Sequence, residues 1–143
     1  MTRLTRRYPF SASHRLHVDS MSDTENRELF GKCNNPFGHG HNYVLEVSLS
    51  GAPDRASGMI FSRAELDELV RRSVITDLDH RDMNADVPEF KELNPTTENL
   101  ALVIGRRLCK AWRQTYPQSD VRLSRVRLEE TGRNSFELQM ENL

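Results

Sequence analysis

The chain is organised around the stretch CNNPFGHGHNY, which runs from Cys33 to Tyr43. It holds a thiol and two imidazoles, and the glycines on either side of His39 allow the backbone to lie close to an ion or a ligand. The next residues, Val44 to Leu49, alternate in polarity and are rich in β-branched residues, which predicts a strand. In extended chain, side chains two apart point to the same face, so His39 and His41 can converge on one point.

Two histidines at this spacing suit a divalent metal, above all zinc, but a catalytic zinc usually has three protein ligands and one open position. His14, which ends an alternating run that begins at Phe10, is one candidate for the third ligand. His17 is the competing candidate, and spacing separates the two only weakly. Cys33 could also be a ligand, so spacing indicates a zinc site without deciding whether it is structural or catalytic.

Composition limits the remaining possibilities. The 143 residues are enough for one domain with a real core, and 20 Lys and Arg balance 21 Asp and Glu. This balance argues against non-specific nucleic-acid binding, which needs a basic surplus. No apolar run approaches the length of a membrane span, and no apolar signal core follows the basic N-terminus. We therefore expect a cytoplasmic protein, in which Cys109, in a helical context, is a buried and inert thiol.

Periodicity predicts the secondary structure. Residues 2–13 form a first strand, in which Pro9 suggests an edge position or a bulge. The polar segment 17–32 has no strand pattern and is expected to be a loop or a short helix. The second strand ends near residue 51, and a capping box at Ser62 begins a helix over 62–76.

A second helix begins after the Pro95, Thr96 and Thr97 start signal, and its apolar stripe continues to Trp112. The last segment is a hairpin, with arms over 121–131 and 135–140. Along the first arm the apolar phase changes after Leu123, which predicts a bulge or a sheet covered on both faces. The order β-β-α-α-β-β predicts an α+β domain over residues 1–143, with a four-stranded antiparallel sheet and two helices on one face.

Taken together, these motifs closely resemble the 6-pyruvoyl-tetrahydropterin synthase family over nearly the whole chain. The segments that carry the resemblance are FSASHRL (10–16), LFGKCNNP (29–36), GHGHNY (38–43), GM (58–59), LDH (78–80), DVP (86–88), TTEN (96–99) and LEET (128–131). The resemblance implies the tunnelling fold, in which subunits form trimers whose sheets close into a barrel, and two trimers form a homohexamer with sites between subunits. Phe37 departs from the family, which commonly has a polar residue there.

The resemblance also implies a role for each candidate residue. Three histidines match the zinc ligands, which leaves His17 outside the site, and three residues match the catalytic groups. A carboxylate, chosen over its neighbour Glu130 only by the resemblance, matches the pterin anchor, and two threonines fall where the family holds the polar edge of the pterin. The implied zinc ligands are His14, His39 and His41, and the implied catalytic groups are Cys33, Asp79 and His80. The implied pterin anchor is Glu129, and the two threonines are Thr96 and Thr97.

The implied activity is a zinc-dependent carbon–oxygen lyase that converts 7,8-dihydroneopterin triphosphate into 6-pyruvoyl-tetrahydropterin and triphosphate. Zinc would act as a Lewis acid, Cys33 as a base, and His80, oriented by Asp79, as a second proton carrier. Five basic residues are candidates to bind the triphosphate: Arg15, Lys32, Arg125, Arg127 and Arg133. The alternatives are 6-carboxy-tetrahydropterin synthase of deazapurine biosynthesis and a non-catalytic, zinc-stabilised pterin-binding assembly protein in which Cys33 completes a four-ligand site.

Overall fold

The computed structural model describes the chain from Met1 to Leu143, apart from the side chain of Asn142. Its strands and α-helical segments are β1 (Thr2–His14), α1 (Asp23–Phe30), β2 (His39–Gly51), α2 (Arg63–Val70), α3 (Thr76–Leu78), β3 (Arg81–Asp82), α4 (Met83–Asp86), α5 (Thr97–Thr115), β4 (Arg122–Thr131) and β5 (Asn134–Gln139). A π-helical turn, Arg71–Ile75, joins α2 to α3. Among the described residues, none of the helices combines the length and the apolar composition needed to cross a membrane.

The five strands form one open sheet in the order β3-β1-β2-β4-β5. The long strands pair antiparallel, as predicted, but the sheet has a fifth strand: β3 pairs parallel with Ala12 and Ser13 of β1. The prediction of four strands was therefore wrong, because a strand of two residues has no periodicity to detect and forms only when the fold brings it to β1. The closed barrel of a trimer stays a prediction.

The core lies between one face of the sheet and helices α2 and α5. Alternate residues of β2 from Tyr43 to Leu49 are completely buried on this face, and the stripe of α5 that includes Ile104 packs against them. We call this the helix face. On the opposite face, Glu46 accepts hydrogen bonds from Arg125 and Arg127. Strand parity therefore decides which side chains can share a site.

The helix and bulge predictions are confirmed with small changes. The first predicted helix begins as expected, since the Ser62 hydroxyl accepts a hydrogen bond from the Glu65 amide, but it continues through the π-helical turn to Leu78. Ser124 has no partner in β2, because Ser48 pairs with Arg125 and Leu49 pairs with Leu123. That unpaired residue is the bulge expected where the apolar phase changes.

Candidate metal centre and catalytic groups

Three donor atoms converge on the helix face, at the end of the sheet where β1 finishes and β2 starts. His14 Nε2 lies 3.1 Å from His41 Nε2, and Cys33 Sγ lies 3.4 Å from the first and 3.5 Å from the second. The two histidines are brought together by the antiparallel ladder, in which Ala12 pairs with His41 and His14 pairs with His39. We call His14, Cys33 and His41 the donor triangle.

The donor triangle has the size of a tetrahedral metal site. Zinc bonds of about 2.0–2.1 Å to nitrogen and about 2.3 Å to sulfur would place two nitrogens about 3.3 Å apart and a nitrogen and a sulfur about 3.5 Å apart. The observed separations, 3.1, 3.4 and 3.5 Å, fall close to those values. These three residues could therefore hold a metal ion.

The ring of His14 is oriented for metal binding. Its Nδ1 lies 2.8 Å from the Pro95 carbonyl oxygen, which makes Nδ1 the protonated nitrogen and leaves the lone pair of Nε2 for the triangle. Burial lowers the pKa of His14 and that of His41, so both rings favour the neutral form that ligates metals. The histidines of the triangle thus present lone pairs where a cation would need them.

The third corner, Cys33, lies in a one-turn 3₁₀ helix, Gly31–Asn34, between α1 and β2. The Leu16 amide donates a hydrogen bond to the Cys33 carbonyl, which fixes this turn against the end of β1. Burial, and then the negative charge of Glu130, raise the pKa of the Cys33 thiol. A cation in the donor triangle would favour the thiolate instead, so the chemistry of this thiol depends on the metal.

His39 lies beside the donor triangle rather than in it. Its ring centroid is 4.8 Å from that of His41, and its Nδ1 is buried without a hydrogen-bond partner among the described side chains. A buried ring nitrogen normally has a partner, and a bound cation would provide one. The competing histidine, His17, contacts Asn34 and Asp19 instead, so the structure brings His14 and not His17 to the triangle.

Gly38 allows the loop before His39 to pack against the end of β1. Gly38 has a φ of +78°, and a Cβ built on it would lie 2.6 Å from the carbonyl oxygen of His14. An L side chain would therefore meet both a strained backbone and a clash. The loop can approach the end of β1 this closely only with glycine at this position.

Asp79 and His80 form a pair on the edge of the sheet. His80 Nδ1 lies 3.1 Å from Asp79 Oδ1, and the same carboxylate oxygen accepts a hydrogen bond from the Ser11 amide. His80 donates its own amide hydrogen to the Ser11 carbonyl, and its φ of +61° is rare for a residue with a side chain. The His80 side chain is 83% exposed, and no hydrogen bond within the described residues joins it to the donor triangle.

The carboxylate predicted as the pterin anchor lies on the face of the sheet opposite the donor triangle. Glu129 pairs with Val44, the neighbour of Tyr43, and therefore points away from the helix face; its contact there is with Arg127, at 3.8 Å. Glu130 is the carboxylate that the fold brings to the site. It accepts a hydrogen bond from the Thr97 hydroxyl, and its charge acts on His14, Cys33 and His41.

A signal for Glu130 was present in the sequence. Val126 and Leu128 are the buried residues of β4, and Glu130 continues their parity to the end of the strand. The two threonines have different partners. Thr97 contacts Glu130, whereas the Thr96 hydroxyl accepts a hydrogen bond from the Asn99 amide and caps α5.

Comparison with known proteins identifies the family of this chain. A family profile described as 6-pyruvoyl tetrahydropterin synthase matches residues 3–141. The protein of Poecilia reticulata named 6-pyruvoyl tetrahydrobiopterin synthase is 41% identical over 131 residues, 92% of this chain and 85% of the relative. The human protein of that name is 47% identical over 107 residues, 75% of this chain and 74% of the relative. The solved structure of Caenorhabditis elegans 6-pyruvoyl tetrahydropterin synthase superposes with a TM-score of 0.85 at 40% identity, covering 96% of this chain and 94% of the other.

Proposed function

The chain belongs to the 6-pyruvoyl tetrahydropterin synthase family, and from this premise we propose that it is a zinc-dependent carbon–oxygen lyase acting on 7,8-dihydroneopterin triphosphate. The products are 6-pyruvoyl-tetrahydropterin and triphosphate. The observation that carries this proposal is the donor triangle, where two imidazole nitrogens and a thiol lie within 3.5 Å of one another beside Glu130.

The zinc ligands in this proposal are His14, His39 and His41. His14 and His41 already direct their Nε2 atoms at one another, and His39 has a buried ring nitrogen that lacks a hydrogen-bond partner. Bound zinc supplies Lewis-acid polarisation of substrate hydroxyl groups. Cys33 is then left free of the metal, close enough to the site to take a proton from the substrate side chain.

Glu130 is the residue that we assign to pterin recognition, in place of Glu129. A carboxylate can accept two parallel hydrogen bonds from the 2-amino group and the adjacent ring N–H of a pterin. Glu130 lies on the helix face with the donor triangle and is held by Thr97, whereas Glu129 lies on the opposite face. The matched variants Glu130→Gln and Glu129→Gln test this: we expect a large rise in KM for the first and little change for the second.

Asp79 and His80 act, in this proposal, on a substrate bound by a neighbouring subunit. Asp79 fixes the tautomer and orientation of His80, which moves a proton on the side of the substrate opposite Cys33. The exposure of His80 within a single chain supports this arrangement. We propose a homohexamer, formed as a dimer of trimers, with each site shared between two chains.

A subunit-mixing experiment tests the shared site. Cys33→Ala and His80→Ala should each be inactive alone. After subunit exchange, random assembly should regenerate sites with both native groups at about one in four positions. Light scattering on the same samples measures the oligomer, and no recovery of activity from a mixed hexamer would contradict sharing of these two groups.

The reaction itself is tested by incubating zinc-loaded protein with 7,8-dihydroneopterin triphosphate and identifying the products by mass spectrometry. Pyruvoyl-tetrahydropterin with released triphosphate is the expected result. Carboxy-tetrahydropterin with acetaldehyde would move the protein to the related carboxy-forming activity and leave the site assignment standing. No turnover by a fully metallated protein would contradict the proposed function.

A further inference from the structure

The chain that follows β1 leaves the sheet, and its backbone polar groups are bonded largely by asparagine side chains. The Asn84 side chain bonds both the amide and the carbonyl of Arg15, and the Asn26 side chain does the same for Val18. Backbone outside helices and sheets needs such partners, because an unpaired amide or carbonyl is costly when it is buried. Four asparagines bond this segment, residues 15–18: Asn26, Asn34, Asn84 and Asn94.

Asn34 is the member of this set that lies next to the thiol of the site, Cys33. Its side chain is buried, and its Nδ2 lies 2.8 Å from the Leu16 carbonyl oxygen and 3.1 Å from His17 Nδ1. Because a carbonyl oxygen only accepts hydrogen bonds, it is the amino group of Asn34 that faces Leu16. Both amide hydrogens have partners, which gives this side chain one orientation.

Leu16 is thereby bonded to two consecutive residues of the turn that carries the thiol. Its carbonyl accepts a hydrogen bond from Asn34, and its amide donates one to the Cys33 carbonyl, at 2.8 Å. These two bonds join the turn to a residue only two positions after His14. They therefore bear directly on the separation of Cys33 Sγ from His14 Nε2, which is 3.4 Å.

The turn depends on such attachments, because a single 3₁₀ turn such as Gly31–Asn34 does not hold its position unaided. At its start, the Gly31 amide donates a hydrogen bond to the Arg27 carbonyl of α1. At its end, the Asn34 carbonyl accepts one from Arg15 Nε, at 3.4 Å. The bond from the Asn34 side chain to Leu16 is shorter and lies beside the thiol.

We propose that Asn34 is a positioning residue, which keeps the Cys33 thiol at the donor triangle by bonding the Leu16 carbonyl and the His17 ring. This inference rests on the proposed function, in which Cys33 takes a proton from the substrate, and deepens it by naming the residue that holds the thiol in place. Asn34 acts through Leu16 and the turn, and not on the substrate itself.

The variant Asn34→Asp tests this role with almost no change in volume, because a carboxylate keeps the shape of the amide and removes both N–H donors. We expect kcat for 7,8-dihydroneopterin triphosphate to fall about 10- to 100-fold, since misplacing a catalytic group by about 1 Å costs up to about 100-fold in rate. KM and zinc content should stay close to those of the native protein. Asn34→Ala, which adds no charge, should give the same pattern and replaces the first variant if that one does not fold.

Asn26→Ala is the matched control. The Asn26 amide bonds the same segment but at Val18, and it is completely buried, so its loss should lower the urea midpoint at least as much while leaving kcat close to native. A native kcat in both Asn34 variants would overturn the proposal. An equal fall of kcat in Asn26→Ala would overturn it too, because lost stability would then be the cause. So would a loss of zinc from the Asn34 variants as severe as that in His41→Ala.

The reactivity of the thiol separates failure of this inference from failure of the proposed function. If the native protein does not turn over the pterin, the proposed function fails, and the rate of Cys33 alkylation by iodoacetamide then tests Asn34. Peptide mass spectrometry follows Cys33 with Cys109 as the reference thiol in the same sample. The Asn34 variants should raise the ratio of the two rates about tenfold, the factor that one lost hydrogen bond contributes to opening of the turn. An unchanged ratio, or an equal rise in Asn26→Ala, overturns the role of Asn34 whatever the substrate is.

Discussion

The sharpest prediction concerns which residue is the third zinc ligand. The proposal assigns this role to His39 and leaves Cys33 for proton transfer, whereas the donor triangle contains Cys33 and not His39. The variants His39→Ala and Cys33→Ala separate the two assignments. If the proposal is right, His39→Ala loses zinc affinity and Cys33→Ala keeps it while losing turnover.

The expected magnitude follows from the environment of the two side chains. Four-ligand zinc sites gain about 10–16 kcal/mol in total, or about 3 kcal/mol per ligand. The buried Nδ1 of His39 has no partner, and a metal bond would relieve a cost of about 1–3 kcal/mol for that unsatisfied group. Removing a true ligand should therefore weaken zinc binding about 100-fold or more, and removing Cys33 should weaken it much less than that.

Competition with a chromophoric zinc chelator measures the affinity, and elemental analysis gives the number of zinc ions per chain. His17→Ala is the control for loss of an imidazole nearby, since His17 contacts Asn34 and Asp19 instead of the triangle. Circular dichroism confirms that each variant is folded. Loss of zinc in Cys33→Ala as severe as in His41→Ala, with zinc retained in His39→Ala, would refute the reasoning and make Cys33 a ligand.

Three further variants test the fold around the site. Gly38→Ala should destabilise the protein by about 2 kcal/mol or more and weaken metal binding, because it combines a positive φ with a clash against His14. Gly40→Ala, where a Cβ meets nothing within 4 Å, is the control, and equal urea midpoints of the two variants would contradict this prediction. His80→Gly should keep or slightly raise stability, since the φ of +61° suits glycine, yet abolish turnover, and retained turnover would remove His80 from the reaction. Asn26→Ala should cost about 2–4 kcal/mol in urea unfolding, because its fully buried amide bonds three backbone carbonyls and one backbone amide; a loss under 1 kcal/mol would contradict that role.

The elements predicted from periodicity agree with the structure where one face of the element is buried. The long strands, the helices that begin after Ser62 and Thr96, and the bulge at Ser124 all follow from patterns that lie within a single segment. The polar segment before Cys33 was predicted only as a loop or a short helix. It forms α1, stabilised by a capping box and by the buried amide of Asn26 rather than by an apolar stripe.

The amino-acid sequence by itself determined the family, the long strands, the two main helices and the set of residues from which the site is built, because each of these is encoded in local patterns or motifs. Tertiary structure decided which members of that set meet, although the alternation along β4 already carried a signal for Glu130. The β1–β2 ladder brings His14 rather than His17 to His41, and the parity of β4 turns Glu130 rather than Glu129 toward Thr97. These choices depend on register and face, which residues distant in the chain impose on one another when they pack.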